Sequence, residues 1–169
     1  MEKFLNVPVF KLLANGTTTA GTTNKLTDSS ATFQTAGVAV GDIIHNSTDN
    51  TYTTVTAVDS ETVLSVSTTV PNSKAYFIHS ATLSNSQLVS ASGVLLVEQA
   101  STSTVTIAYD SPSASADVIT LTHVPVSAGS EAVRDLVQAK ISEAYTSSWT
   151  NISHDLSTMP NQVIGISLG

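Results

Sequence analysis

Residues 130–149, SEAVRDLVQAKISEAYTSSW, decide the fold, because here the spacing of apolar residues changes from two to three or four. Offsets of three and four place side chains on one face of an α-helix. The apolar positions are Val133, Leu136, Val137, Ile141, Ala144, Tyr145 and Trp149. Ser127 or Ser130 can cap the start of such a helix. We predict a helix over about 130–149, whose single apolar stripe must lie on a sheet.

The segments on either side of this stretch alternate between apolar and polar residues, as half-buried strands do. They are Val94–Gln99, Thr102–Tyr109, Val118–Val124 and Gln162–Leu168. At the start of the chain, Glu2–Phe10 adds a strand, in which Pro8 favours an edge or a bend. The sequence therefore predicts an α+β sheet lobe made of residues 1–12 and 81–169.

Residues 15–79 show a different pattern, in which short strand-like runs alternate with turn signals and no helical period occurs. One run, Val38–Ile44, predicts two short strands joined at Gly41-Asp42. Such spacing is typical of a small closed barrel or sandwich. Turn-like flanks at Asn15-Gly16 and Ser80–Ser86 favour an inserted domain. The predicted fold class is mainly β (α+β): a sheet lobe with one helix in the C-terminal half, and a small all-β barrel or sandwich inserted at 15–79.

Composition narrows the function classes. Charged residues make up 11% of the chain, the net charge is −7, and only six residues are Lys or Arg. Nucleic-acid binding requires clustered cations, so we expect no direct nucleic-acid partner. No run approaches the roughly 20 apolar residues of a membrane span, so we expect no membrane partner. Pro8 and two lysines interrupt the apolar residues of Met1–Ala14, which we expect to belong to the mature fold of a protein made in a cytoplasm.

The sequence contains no pattern that indicates chemistry. The histidines, His45, His79, His123 and His154, lack the spacing of a metal site, and we expect structural roles for them. The carboxylates of the inserted unit, Asp42, Asp49, Asp59 and Glu61, lie in turn contexts. Nucleophile elbows, dinucleotide-binding loops and phosphate-binding loops are missing from the sequence. We therefore predict no enzyme activity and no catalytic, cofactor or metal site. A small hydrolase and a secreted adhesin are the alternatives; the adhesin would need a signal sequence.

Two parts of the chain resemble structural proteins of tailed bacteriophages. The first comprises Thr23–Phe33, Gly37–Asn46 and Ala57–Val66, which are similar to a small β module that recurs in those proteins. The second comprises Gln87–Ser101 with Thr104–Tyr109 and Ala132–Asp135, which resemble small virion-associated proteins of environmental phages. These are strand and turn patterns rather than chemical sites. The resemblance implies a capsid or tail component and carries over no catalytic residue.

The function implied by this resemblance is that of a capsid decoration or cement protein. Such a protein binds the major capsid protein on the exterior of the virion and stabilises the shell. The resemblance also favours a homo-oligomer, with a trimer as the preferred state. The alternative is a tail, baseplate or head-fibre component. We expect the sheet lobe to be the anchor, with the interface residues Phe4, Leu5, Val7, Val9, Tyr109 and Trp149.

Overall fold

A computed structural model describes residues 2–111, 117–156 and 161–169. The chain is mainly β with one helix, which confirms the predicted fold class. The elements are β1 (Phe4–Thr17), β2 (Lys25–Thr27), β3 (Ile43–Asn46), β4 (Thr51–Val58), β5 (Val63–Val66), β6 (Ala75–Ser90), β7 (Val94–Ser101), β8 (Thr104–Tyr109), β9 (Asp117–His123), α1 (Ala132–Thr146), β10 (Ser153–Asp155) and β11 (Val163–Leu168).

The chain divides into two compact units. Unit 1 consists of Met1–Val9 and Ser84–Gly169, and unit 2 consists of Phe10–Leu83. The long strands β1 and β6 pass from one unit into the other. The turns predicted at Asn15-Gly16 and Ser80–Ser86 are therefore wrong, because these residues extend the two strands. Ser, Thr and Asn occur at exposed strand positions as well as in turns, so local sequence does not distinguish a strand from a turn here.

Within unit 2 the strands lie in the order β2-β5-β4-β3-β6, and Ala20 forms an antiparallel bridge to Thr27 of β2. The small barrel or sandwich expected from the sequence stays a prediction. All pairings of unit 2 from β2 to β6 are antiparallel. Its core contains Phe33, Ile44, Leu64 and Tyr76, all fully buried. The Tyr76 hydroxyl donates a 2.7 Å hydrogen bond to the Asp28 carboxylate, which holds both polar groups inside the unit.

The predicted strand pair over Val38–Ile44 is wrong in its first half. Strand β3 begins only at Ile43, and the preceding residues form a turn. The Asp42 carboxylate accepts a 2.8 Å hydrogen bond from the Ala39 amide, which closes that turn. Gly41 has a φ of +96°, a conformation that L side chains rarely adopt. An Asp side chain that accepts a hydrogen bond from a nearby backbone amide stabilises a turn in preference to a strand.

Unit 1 is a mixed sheet in which β1, β11, β9, β8 and β7 lie side by side. β1 pairs in parallel with β10 and β11, whereas β11-β9, β9-β8 and β8-β7 are antiparallel. The helix buries Val133, Val137, Ile141 and Ala144 in the unit 1 core. This is the stripe that the apolar spacing predicts.

The helix is shorter at both ends than the predicted 130–149. It begins at Ala132, and the N-cap position is Glu131, whose side chain makes no capping bond. Of the two predicted serines, Ser130 lies one residue earlier, and its hydroxyl accepts a 3.4 Å hydrogen bond from the Ala132 amide. It ends at Thr146, because Ser147 adopts an extended conformation with ψ of 160°. Trp149 therefore lies beyond the helix, in the connection to β10.

Candidate interaction surface

Three large apolar side chains lie exposed where helix α1 ends and the chain leads into β10. The exposed fractions are 62% for Tyr145, 73% for Trp149 and 48% for Ile152. The sequence predicts Tyr145 and Trp149 to belong to the packed stripe of the helix, and the structure places both in solvent instead. We call these three residues the Trp149 surface. Exposed aromatic side chains grouped in this way are typical of protein-binding surfaces.

Lys3 fixes the loop that carries Trp149. Its Nζ donates hydrogen bonds of 2.8 Å to Ser147 Oγ, 2.7 Å to the Ser148 carbonyl and 2.6 Å to the Asn151 carbonyl. A cation at the C-terminal end of a helix also interacts favourably with the helix dipole. The loop 147–151 is thus tied to the first residues of the chain, and Trp149 projects from a fixed support.

His154 holds the same loop from the inside of unit 1. Its ring is 2% exposed, with Nδ1 3.2 Å from Glu143 Oε1 and Nε2 3.1 Å from Ser147 Oγ. The hydrogen bond from Lys140, and after it the one from His154, lowers the pKa of Glu143. Glu143 therefore stays ionised at neutral pH, and it connects the last turn of α1 to β10.

Tyr109 lines a groove in unit 1. The groove has a volume of about 430 Å³ and is lined by Ser90, Tyr109, Asp117, Val118, Ile119, Leu168 and Gly169. The Tyr109 hydroxyl donates a 2.7 Å hydrogen bond to the Ser90 carbonyl. Burial first, and Tyr145 second, raise the pKa of Tyr109 to about 12, so the phenol is protonated at neutral pH. Its role as a donor to Ser90 is therefore constant.

The structure separates the six predicted interface residues into two groups. Leu5, Val7 and Val9 are at most 9% exposed and form part of the unit 1 core. Their side chains are therefore not accessible to a partner, and their prediction as interface residues is wrong. Their alternation along β1 directs them inward. Phe4 and Tyr109 are half-buried, and Trp149 is exposed. Of the predicted set, only Trp149 belongs to the Trp149 surface, whose other members are Tyr145 and Ile152.

Tyr145, Ile152 and Lys3 are the residues of this surface that sequence reasoning missed. A signal for Tyr145 is present, because it lies four residues after Ile141 at the end of the stripe, where a helix commonly leaves its sheet. The role of Lys3 has no signal in the sequence, since 144 positions separate it from its Ser147 partner.

The carboxylates of unit 2 all bind nearby groups. Asp59 and Asp49 form ion pairs of 2.8 Å and 2.7 Å with Lys25 and Lys74. Glu61 accepts hydrogen bonds from the Thr35 hydroxyl and from the Gln34 and Thr35 amides. Within residues 2–111, 117–156 and 161–169, no three His, Asp or Glu side chains are grouped as metal ligands would be.

Comparison of the chain with protein-family models, with curated proteins and with solved structures found no match. Among the described residues, no helix has both the length and the apolar content that crossing a bilayer requires.

Proposed function

We propose that this protein is a non-enzymatic structural component of a virus particle, a capsid decoration or cement protein. In this proposal it binds the major capsid protein from the outside of the shell and stabilises the assembled particle. The resemblance of Gly37–Asn46 and Gln87–Ser101 to phage structural proteins supports the virion assignment. The Trp149 surface supports binding to another protein subunit.

The observation that carries the proposal is a Trp that is 73% exposed on a loop held by three hydrogen bonds from Lys3. A large aromatic side chain loses little conformational entropy on binding when its backbone is already fixed. Trp and Tyr are the residues most enriched among those that dominate binding energy at protein interfaces. The fixed loop presents an exposed indole, and Tyr145 and Ile152 are exposed in the same stretch of chain.

Mass spectrometry of purified virus particles from the culture that makes this protein tests the proposal. We expect the chain to be present in many copies, in a fixed ratio to the major capsid protein. A few copies per particle would instead support the alternative, a tail, baseplate or head-fibre component. Its absence from washed particles would contradict both.

A pair of variants tests the docking surface. Trp149→Ala should lose incorporation into particles, whereas Leu95→Ala should be incorporated like the wild type, because Leu95 is 66% exposed but lies on β7, outside the Trp149 surface. Circular dichroism and thermal unfolding check that both variants are folded. Equal incorporation of the two variants would show that the shell is bound elsewhere.

A further inference from the structure

Strand β6 has an exposed segment in unit 1, Ser84–Leu88. A strand with one face on a core alternates between buried and exposed positions. Every residue of Ser84–Leu88 is exposed instead, and Leu88 is 63% exposed. Both faces of this segment are therefore in solvent, although the neighbouring strand β1 has Leu5, Val7 and Val9 buried.

This segment also has one free edge. β6 has two strand neighbours, β3 and β1. Its pairing with β3 covers Tyr76–His79, within unit 2. Along Ser84–Leu88, the backbone groups that point away from β1 therefore have no strand partner in the part of the chain that the structure describes. We call this side of Ser84–Leu88 the β6 edge.

At the opposite end of the unit 1 sheet, the edge strand β7 is protected from pairing with another chain. There β7 contacts helix α1, and the Gln138 side chain donates a 3.4 Å hydrogen bond to the Val97 carbonyl. The register of β7 with β8 also shifts twice, which breaks the regular edge. Covering by a helix and bulges are two means by which proteins protect edges from pairing. Every residue along the β6 edge is exposed, so within the described part of the chain no helix covers it.

The amino-acid composition of β6 favours its pairing with β6 of a second copy of the chain. From Ala75 to Ser90 the strand has no Asp, Glu, Lys, Arg or Pro, the residues that most often prevent edge-to-edge association. The edge carries Ser84, Asn85, Ser86 and Gln87, whose hydroxyl and amide groups both donate and accept hydrogen bonds. Two copies of a chain with net charge −7 repel each other, so contact between them is easiest at a segment without charge.

We propose that the β6 edge pairs with the same edge of a second copy, antiparallel about a two-fold axis. The pairing joins the unit 1 sheets of two copies by main-chain hydrogen bonds and brings Leu88 of each copy into contact with the other. An isologous contact of this kind gives a closed dimer, because each copy uses the same surface. This dimer goes beyond the proposed function and does not depend on it.

Single-cysteine variants test the register, since the natural chain has no cysteine. In antiparallel pairing about a two-fold axis, moving one residue from the axis separates the two equivalent positions by about 7 Å along the strands. Since the strands also lie about 5 Å apart, the two Cα atoms are then more than about 8 Å from each other. A disulfide needs Cα atoms within about 7 Å of each other. Cysteine placed in turn at Ser84, Asn85, Ser86, Gln87 and Leu88 should therefore crosslink only at one position or at two adjacent ones.

The control is Ser142→Cys, at an exposed helix position outside the edge, and it should remain uncrosslinked under the same mild oxidation. Crosslinking at none of the edge positions would overturn the proposal. Equal crosslinking at all of them, or at Ser142→Cys, would show random collision and would also overturn it.

Sedimentation equilibrium of the full chain provides the second measurement. The wild type should be a dimer, Leu88→Lys should be a monomer with unchanged circular dichroism, and Leu95→Lys should remain a dimer. Leu95 is a matched control because its exposed fraction is 66%, against 63% for Leu88. A monomeric or trimeric wild type would overturn the proposed dimer while leaving incorporation into virus particles as a separate question.

Discussion

At the scale of single residues, His45 and His79 are buried imidazoles on adjacent strands of unit 2. His45 stacks on Tyr52 with ring centroids 4.5 Å apart, and His79 meets Phe10 edge-on at 5.5 Å. Burial lowers the pKa of both rings; Asn50 opposes the shift at His45, and the Ser80 carbonyl and Asp42 oppose it at His79. Among the described residues, His45 Nδ1 and His79 Nε2 also have no hydrogen-bond partner. Both rings are therefore neutral at pH 7.

We predict that the free energy of unfolding decreases as the pH falls below the ordinary histidine value of 6.5. Folding lowers the pKa of these rings, so the unfolded chain binds more protons below that pH, and the stability is lost as the pH falls through the folded values. His123 in unit 1 shifts in the same direction through burial. Urea unfolding at a series of pH values above about 5.5 separates the histidines from the carboxylates, which are ionised in both states there.

The double variant His45→Gln and His79→Gln should show a shallower decrease than the wild type over the same range. A wild-type curve that is flat between pH 7 and the range where carboxylates titrate would contradict the assignment of buried neutral rings.

Gly16 lies in a position where the structure leaves no space for a side chain. A Cβ at this position would lie 2.9 Å from the Tyr76 hydroxyl and still closer to the Asp28 carboxylate. We predict that Gly16→Ala disrupts their buried hydrogen bond and lowers the free energy of unfolding by about 1–3 kcal/mol. Gly165→Ala is the control, because its nearest neighbour would be 3.6 Å away, at Thr122 Cβ. Equal stability of the two variants in urea unfolding would contradict this account.

At the scale of elements, the connection between α1 and β10 depends on Lys3. We predict that Lys3→Met releases the loop 147–151 while lowering the free energy of unfolding by only about 1 kcal/mol, since an exposed charged contact contributes little. Trp149 is the only tryptophan of the chain, so fluorescence reports on this loop alone. Its anisotropy should fall in Lys3→Met and stay unchanged in Lys11→Met, a lysine on β1. Unchanged anisotropy in both variants would show that the loop is held without Lys3.

The elements also show what local sequence can and cannot predict. The core stripe of α1 and the alternation in β8 and β9 follow directly from hydrophobic spacing, and both are present at the predicted places. The extension of β6 through Ser80–Ser86 was not predictable, because its Ser, Thr and Asn residues are equally suited to turns. The C-terminal end of α1 was not predictable because Ser147 binds Lys3 and His154, which lie outside the helix.

At the scale of the whole molecule, charged residues make up only 11% of the chain, and the structure shows which of its apolar side chains are exposed. Of the three residues of the Trp149 surface, only Trp149 was among the predicted interface residues. Leu5, Val7 and Val9 are as apolar as interface residues, and only the pairing of β1 with β10 and β11 reveals that they belong to the core. Sequence patterns show which residues avoid water, but the partner that covers them depends on contacts between distant segments.

The central claim is that the Trp149 surface binds the shell of a virus particle. A cryo-electron microscopy reconstruction of particles that contain this protein tests it most directly. We predict that Tyr145, Trp149 and Ile152 are covered by the major capsid protein at symmetry-equivalent positions of the shell. A reconstruction in which the indole of Trp149 faces solvent while another part of the chain contacts the shell would contradict the claim.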